Sequence, residues 1–275
     1  MLTHVPLGGL GNRMRSTAAA IALAERMGMR LRVVWCRDAG LNSRFDALFQ
    51  PLPSAAEVVE ANALQAFCHG VARKRNLYLP GLWQRLRYDL RIGEAKAAQL
   101  RQDAQAMETL MRPARRALTV TGVEFYPVSD ELLRTLFVPA PALMQRIDEL
   151  SAKLGSAVGM HIRRTDNSVS AQESPLTLFL AKADEWARRN PATHFYVATD
   201  SEDVKRAFQQ RFPGKVLTAP QQARRDTADG VADAVVEMYA LARTVYFYGS
   251  YYSSFSDIVL SLRQASNGEI IRMSR

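Results

Sequence analysis

Short apolar runs alternate along this chain with stretches whose apolar residues recur every three or four positions. At the start, THVPL (3–7) reads as a strand and GGLGNR (8–13) as a turn. Residues 14–28 read as an alanine-rich helix, with Met14, Ala18, Ile21 and Ala22 at helical spacing. Gly28 ends that helix, and LRVVW (31–35) is the next strand, which makes a βαβ unit of a parallel sheet. The middle, 55–116, has a mainly helical pattern, clearest over 55–67 and 94–112. ALTVTGVEFY (117–126) reads as a strand broken at Gly122. Pro139 and Pro141 lie ahead of a helix ending near 155 and mark a domain junction.

From 156 onward the alternation is cleaner. AVGMHI (157–162), HFYVATD (194–200), KVLT (215–218) and VYFYG (245–249) are strands. Helices follow each: one opened by Ser174-Pro175 and running to about Arg189, then 201–212, 230–244 and 253–266. In the last, Phe255, Ile258, Val259 and Leu262 form an i, i+3, i+4, i+7 face. This order predicts an α/β protein of two domains, 1–140 and 141–275, each built on a parallel sheet.

Composition narrows the class. The 275 residues are 48% hydrophobic and 23% charged, as in a globular protein with a real core. No apolar run reaches the ~18–20 residues of a membrane span, and the N-terminus lacks the layout of a secretory signal. Cys36 and Cys68 have neither zinc-site nor redox-motif spacing, so a reduced, cytoplasmic protein is expected. The net charge is +9, but residues 71–116 hold eleven Lys/Arg against four Asp/Glu. That block is either a solvated helical surface or a surface for nucleic acid, an anionic membrane or an acidic substrate. Tyr78, Trp83 and Tyr88 lie among its charges.

Four stretches carry candidate chemistry. In HIRRTDN (161–167) a strand ends in two arginines, where open parallel sheets bind ligands. Arg163 and Arg164 would offer planar, two-pronged donors to phosphate, with Asp166 pairing one of them. The same residues would also make an ordinary surface loop with an internal ion pair. In YYSSFSDIVLSL, Ser253 and Ser254 stand where a helix begins, either as a plain cap or as part of an anion site. Asp200 ends another strand and would accept hydrogen bonds from a ribose or a base, or cap the next helix. In GGLGNR, Gly8, Gly9 and Gly11 let backbone approach a ligand. Gly9 and Gly11 match a dinucleotide fingerprint, but Met14 occupies its third position; Asp38 lies at the distance of its ribose-binding acid. An NAD(P)-dependent oxidoreductase using this loop is therefore one alternative, and a non-catalytic basic binding module is another. The four histidines are scattered and no Asp-x-Asp triplet occurs, so no metal site is expected; a leaving diphosphate would need arginine and helix-end N–H groups.

Taken in order, GGLGNRM, HIRRTDN, ATDSEDV and SSFSDIV resemble motifs of the fucosyltransferase superfamily. That superfamily comprises nodulation, α1,6-, α1,2- and protein O-fucosyltransferases. The resemblance implies a GT-B-like architecture, two Rossmann-like domains with parallel sheets facing a cleft. It further implies metal-independent, inverting transfer of a sugar, expected to be fucose, from a GDP-sugar to a hydroxyl of a glycan or lipid-linked acceptor. Residues 1–140 would form the acceptor-side domain with a helical basic insert, and 141–275 the nucleotide-sugar domain. By that analogy Arg163 contacts the diphosphate and Asp200 helps hold the nucleoside. Ser253, Ser254 and Phe255 line the phosphate site, His161 and Arg164 shape the loop, and Gly11, Asn12 and Arg13 border the donor. The family's motif lysine is Asn167 here, and its following acid has no aligned counterpart; Glu173 is the nearest carboxylate for a general base. The resemblance brings in no cofactor beyond the donor and no nucleic acid. The basic block suits peripheral contact with an anionic membrane face.

Overall fold

The computed structural model describes residues 1–101, 103–165, 167–219 and 224–273. It divides into two units, Met1–Ala140 with Arg225–Ala228, and Pro141–Arg224 with Asp229–Arg275.

The first unit is built on five strands: β1 (Leu2–Pro6), β2 (Leu31–Trp35), β3 (Glu57–Glu60), β4 (Leu90–Gly93) and β5 (Ala117–Thr121). Their order is β3-β2-β1-β5-β4 and every pairing is parallel, for example Leu2 against both Leu31 and Ala117. All five residues of β1 and of β5 are buried, as expected for strands covered on both faces. Helix Leu10–Met27 crosses over between β1 and β2 and buries Met14, Ala18 and Ile21. It stops where Gly28 takes a left-handed φ of 60° and its N–H bonds back to Ala24 and Glu25. A chain of aromatic contacts, Trp35–Phe45–Phe49–Phe137, holds one flank with ring centroids 5.2–5.5 Å apart.

The second unit repeats the plan with β6 (Val158–Ile162), β7 (Phe195–Thr199), β8 (Val216–Leu217), β9 (Tyr246–Ser250) and β10 (Gly268–Ile271), in the order β10-β9-β6-β7-β8 and again all parallel. Val158, Met160 and Ile162 of the central strand pack with Phe179, Phe195, Val197 and Phe208 in its core.

Several elements differ from the expected pattern. Residues 57–60 form β3 rather than helix. Val58 and Val59 are β-branched, and the open edge of β2 offers them a partner, with Arg32 Nε donating to Glu57 at 2.9 Å beside the pair. β4 and β10 were not expected; both are four residues long, and only their neighbours β5 and β9 define them. Ser174 does not cap the helix that follows. That helix begins at Leu176 with Pro175 at its N-cap, while the Ser174 hydroxyl donates to Ile271 O at 2.6 Å and accepts from Tyr251 N at 2.8 Å.

One buried interaction in the second unit predicts a pH effect. Glu237, partly buried on helix Ala228–Ala242, accepts a hydrogen bond from Tyr196 Oη at 2.9 Å. Burial raises its pKa from 4.5 to about 7. A carboxyl whose pKa is raised by folding favours the folded state below that value and costs stability above it. Glu237→Gln is therefore expected to stabilise the protein at pH 8 by roughly 1–2 kcal/mol, discounted for its residual exposure, with the gain vanishing by pH 5. Urea unfolding of both proteins at the two pH values measures this; an equal gain at pH 5 and pH 8 contradicts it.

Candidate functional site

The carboxyl ends of β6, β7 and β9 are adjacent in the second sheet, and the sequence motifs 161–167, 198–204 and 253–259 all begin there. A buried polar network joins them. His161 Nδ1 and Ser256 Oγ are hydrogen-bonded at 2.7 Å, and Ser256 Oγ accepts from Ser250 N at 3.0 Å. Ser250 Oγ donates to His161 O at 3.1 Å and accepts from Arg163 N at 3.0 Å. The His161 ring stacks on Phe255 with centroids 4.5 Å apart. Burial, aided by the nearby Arg163 cation, lowers the His161 pKa to about 3, so the imidazole is neutral at physiological pH. Gly249 is required beneath this network, because a Cβ there would lie 2.7 Å from Ser256 Cβ.

Asp200 organises the arginine loop. Its Oδ1 accepts from Arg164 N at 2.8 Å, its Oδ2 accepts from Thr165 N at 3.1 Å and Thr165 Oγ1 at 2.8 Å, and Arg163 Nε lies 3.3 Å from Oδ2. Oδ2 takes three of these contacts and Oδ1 one. Asp200, expected on the nucleoside, thus turns inward and holds the loop. The side chain of Arg163 keeps 17% of its surface accessible.

Arg164 Nη1 and Nη2 donate to Ala171 O at 3.3 Å and Ser174 O at 2.6 Å. Asn167 caps helix Ser168–Glu173 and donates from Nδ2 to Tyr252 O at 2.8 Å, tying the loop to the β9 turn. Asp166 lies outside the described residues. Ser253 is the buried N-cap of helix Ser254–Leu262, and its side chain makes no capping bond. First-turn amides of a helix lack intrahelical acceptors and carry partial positive charge. Ser254 and Phe255 stand in that first turn. This leaves Arg163 and the amides near Ser254 at the ends of neighbouring strands, an arrangement suited to an anion.

Glu173 stands apart. Its Oε2 pairs with Arg272 Nε at 3.0 Å, and Arg272 lies over the Tyr251 ring at 4.1 Å. Glu173, expected as the general base, is thus engaged by Arg272 in this arrangement.

In the first unit the stretch 8–13, expected as a turn, enters helix Leu10–Met27 at Leu10 with Gly9 as its N-cap, and Arg13 in its first turns points inward. Arg13 is fully buried; its Nε donates to Gly8 O at 2.8 Å, its Nη1 to Cys36 O, and its Nη2 pairs with Asp38 Oδ1 at 2.8 Å. Arg13, expected to border the donor, is therefore a core brace. Asp38 also accepts from the amides of Gly40 at 2.8 Å and Leu41 at 3.1 Å. All three contacts fall on Oδ1, so Asp38 ties the 38–41 turn to Arg13. Gly11 is buried, and Asn12, partly buried, stands in the first turn of helix Leu10–Met27.

Sequence reasoning missed Ser250, Ser256 and Thr165, whose hydroxyls weave the network; single hydroxyls carry no periodic signal. It also missed a cavity of about 170 Å³ at the carboxyl ends of β1, β4 and β5, lined by Leu7, Val71, Gln84, Arg91 and Glu94. Glu94 Oε2 accepts there from Thr121 Oγ1 at 2.6 Å and Gly122 N at 2.9 Å. Among the described residues no cluster of three or more His, Cys, Asp or Glu side chains could hold a metal ion, and no helix is long and apolar enough to cross a membrane.

No protein-family model matches the chain, and no curated protein matches it in sequence. Solved structures do share its fold. Fucosyltransferase NodZ from Bradyrhizobium matches with a TM-score of 0.61 at 18% identity, over 95% of this chain and 93% of that one. A mutant of Arabidopsis thaliana FUT1 in complex with GDP matches at 0.62 and 14%, over 98% and 69%. POFUT1 in complex with GDP-fucose matches at 0.60 and 12%, over 98% and 97%. The chain has the GT-B-like α/β fold of these proteins, with two Rossmann-like parallel sheets.

Proposed function

We propose that this protein is a glycosyltransferase that moves fucose from GDP-fucose to a hydroxyl of a glycan or lipid-linked glycoconjugate. The observation that carries the proposal is the convergence of Arg163 and the N-terminus of helix Ser254–Leu262 at adjacent strand ends, on the fold of enzymes with GDP-fucose bound. Breaking the sugar–phosphate bond places charge on the leaving diphosphate. Arg163 would meet that charge with a planar donor pair, and the first-turn amides near Ser254 and Phe255 with N–H groups already oriented. Neutral His161, bonded to Ser256, positions the helix N-terminus, and the Asp200 carboxylate, paired with Arg163, positions the arginine loop. The cavity beside Glu94, with an apolar wall and a few polar groups, suits part of a sugar acceptor. As the acceptor oxygen bonds to the anomeric carbon its proton leaves to a base, and Glu173, held by Arg272, is the carboxylate proposed to take it, directly or through solvent.

Thermal denaturation with GDP, UDP, dTDP and NAD tests the donor class. A ligand that binds only the folded protein adds ~2.7 kcal/mol at one hundred times its Kd, a shift of several degrees for a chain of this size. GDP and GDP-fucose are expected to raise the melting temperature and the other three to leave it unchanged. A shift with NAD alone contradicts the proposal.

A further inference from the structure

We infer that segment 62–88 of the first unit is a docking surface for an anionic membrane. No acidic residue occurs between Glu60 and Asp89, whereas Arg73, Lys74, Arg75, Arg85 and Arg87 do. The same segment exposes large apolar side chains. On helix Leu79–Arg87, Leu79, Leu82 and Leu86 lie on one helical face and are 49%, 58% and 78% exposed. Leu64 and Phe67 on the neighbouring helix Ala63–His69 are also exposed, as are Leu77 and Tyr78 in the turn between.

The leucines face outward because the other side of the helix is anchored. Gln84 is buried and donates from Nε2 to Cys68 O at 3.0 Å and Gly70 O at 2.9 Å. Trp83 packs edge-on against His69 with centroids 5.0 Å apart and against Tyr88 at 6.0 Å. Polar and aromatic anchors inside, with leucines outside, reverse the usual pattern of a surface helix. Leu77 and Tyr78 both take a left-handed backbone, with φ of 50° and 55°. Two consecutive non-glycine residues in that region are held against their preference, and here they project a leucine and a tyrosine beside the apolar face.

Charge selects the occupant. Apolar side chains ringed by cations, with no anion among them, match a bilayer whose headgroups are negative and whose interior is apolar. A second copy of this chain would set the same cations against one another across a two-fold interface. The surface lies next to Gly70 and Val71, which line the cavity beside Glu94, so docking would bring lipid-linked material close to that cavity.

Co-sedimentation with extruded vesicles tests the inference, using phosphatidylcholine alone or mixed with phosphatidylglycerol, at low and high salt. Retention is expected on the mixed vesicles at low salt only. Arg85→Ala/Arg87→Ala should weaken partitioning about fivefold for each charge removed, and Leu82→Ser/Leu86→Ser by about tenfold or more. Both pairs are exposed, so the melting temperature should not move, and neither pair should alter the shift produced by GDP. That last readout separates failure here from failure of the transferase proposal. Absence of retention at low salt overturns the inference, as does equal retention on neutral vesicles. So does a dimer that forms without lipid and is lost in the leucine variant, or selective capture by an acidic protein without lipid binding.

Discussion

Arg163→Ala is expected to lower sugar transfer from GDP-fucose by about 10²–10³-fold, the usual cost of removing one donor from a site where charge develops. The fold should survive the change. It is the backbone amide of Arg163, not its side chain, that docks on Ser250, and Asp200 retains hydrogen bonds from Arg164 N, Thr165 N and Thr165 Oγ1. The variant is therefore expected to keep its melting temperature while kcat falls more than KM rises, because the guanidinium meets most of its partner charge in the transition state. Arg163→Lys should recover only part of the loss, since an ammonium lacks the two-pronged geometry. Steady-state kinetics with GDP-fucose, beside the melting curves, decide the matter. Transfer within about threefold of the unmodified protein would sink the assigned role of Arg163 and, with it, the proposed diphosphate site.

The second large effect concerns acid. His161 is buried and neutral with a pKa of about 3, and so is His4 in the first unit, where its Nδ1 bonds Thr119 Oγ1 at 2.8 Å. Folding lowers these values from 6.5, so below that pH the unfolded chain binds protons that the folded one refuses. Stability is then present above pH 6.5 and lost on acidification, by about 1.4 kcal/mol per pH unit for each histidine. In the second unit Glu237 acts in the opposite sense between its folded value of about 7 and its ordinary 4.5. The two slopes offset each other over much of that window. Glu237→Gln should therefore expose the His161 slope, and urea unfolding of that variant is expected to show stability falling by up to ~3 kcal/mol between pH 6.5 and 4.5. The imidazole resonances of His4 and His161 should not titrate above pH 4.5. A His161 midpoint near 6, or a flat stability curve in the Glu237→Gln variant, would contradict the buried neutral assignment.

Much of the scaffold was readable along the chain. Strands such as 157–162 and helices such as 201–212 carry their own periodicity, and each lies within a residue or two of its expected position. The segments that were missed depend on neighbours. β3 is a strand because β2 has an open edge beside it, and β4 and β10 are too short for alternation to register. The arginine loop, the Ser253 turn and Asp200 were recognisable as residues that carry chemistry. Their partners were not, since whether a guanidinium faces outward or into the core depends on groups distant in sequence. Arg13 and Arg163 each follow a strand and look alike in the linear chain. One is sealed against Cys36 and Asp38, and the other remains partly open beside Asp200.

Sequence alone determined the alternation of strands and helices, the α/β plan of parallel sheets and the motifs at the strand ends, because local spacing fixes which faces are apolar. Tertiary structure decided which charges are available and which are internal braces, and which leucines stay in water. Those outcomes depend on hydrogen bonds across 36 residues for Arg164 N to Asp200, and 95 for His161 to Ser256. A polar group's role is set by whatever satisfies it, and only the folded chain brings that partner within reach.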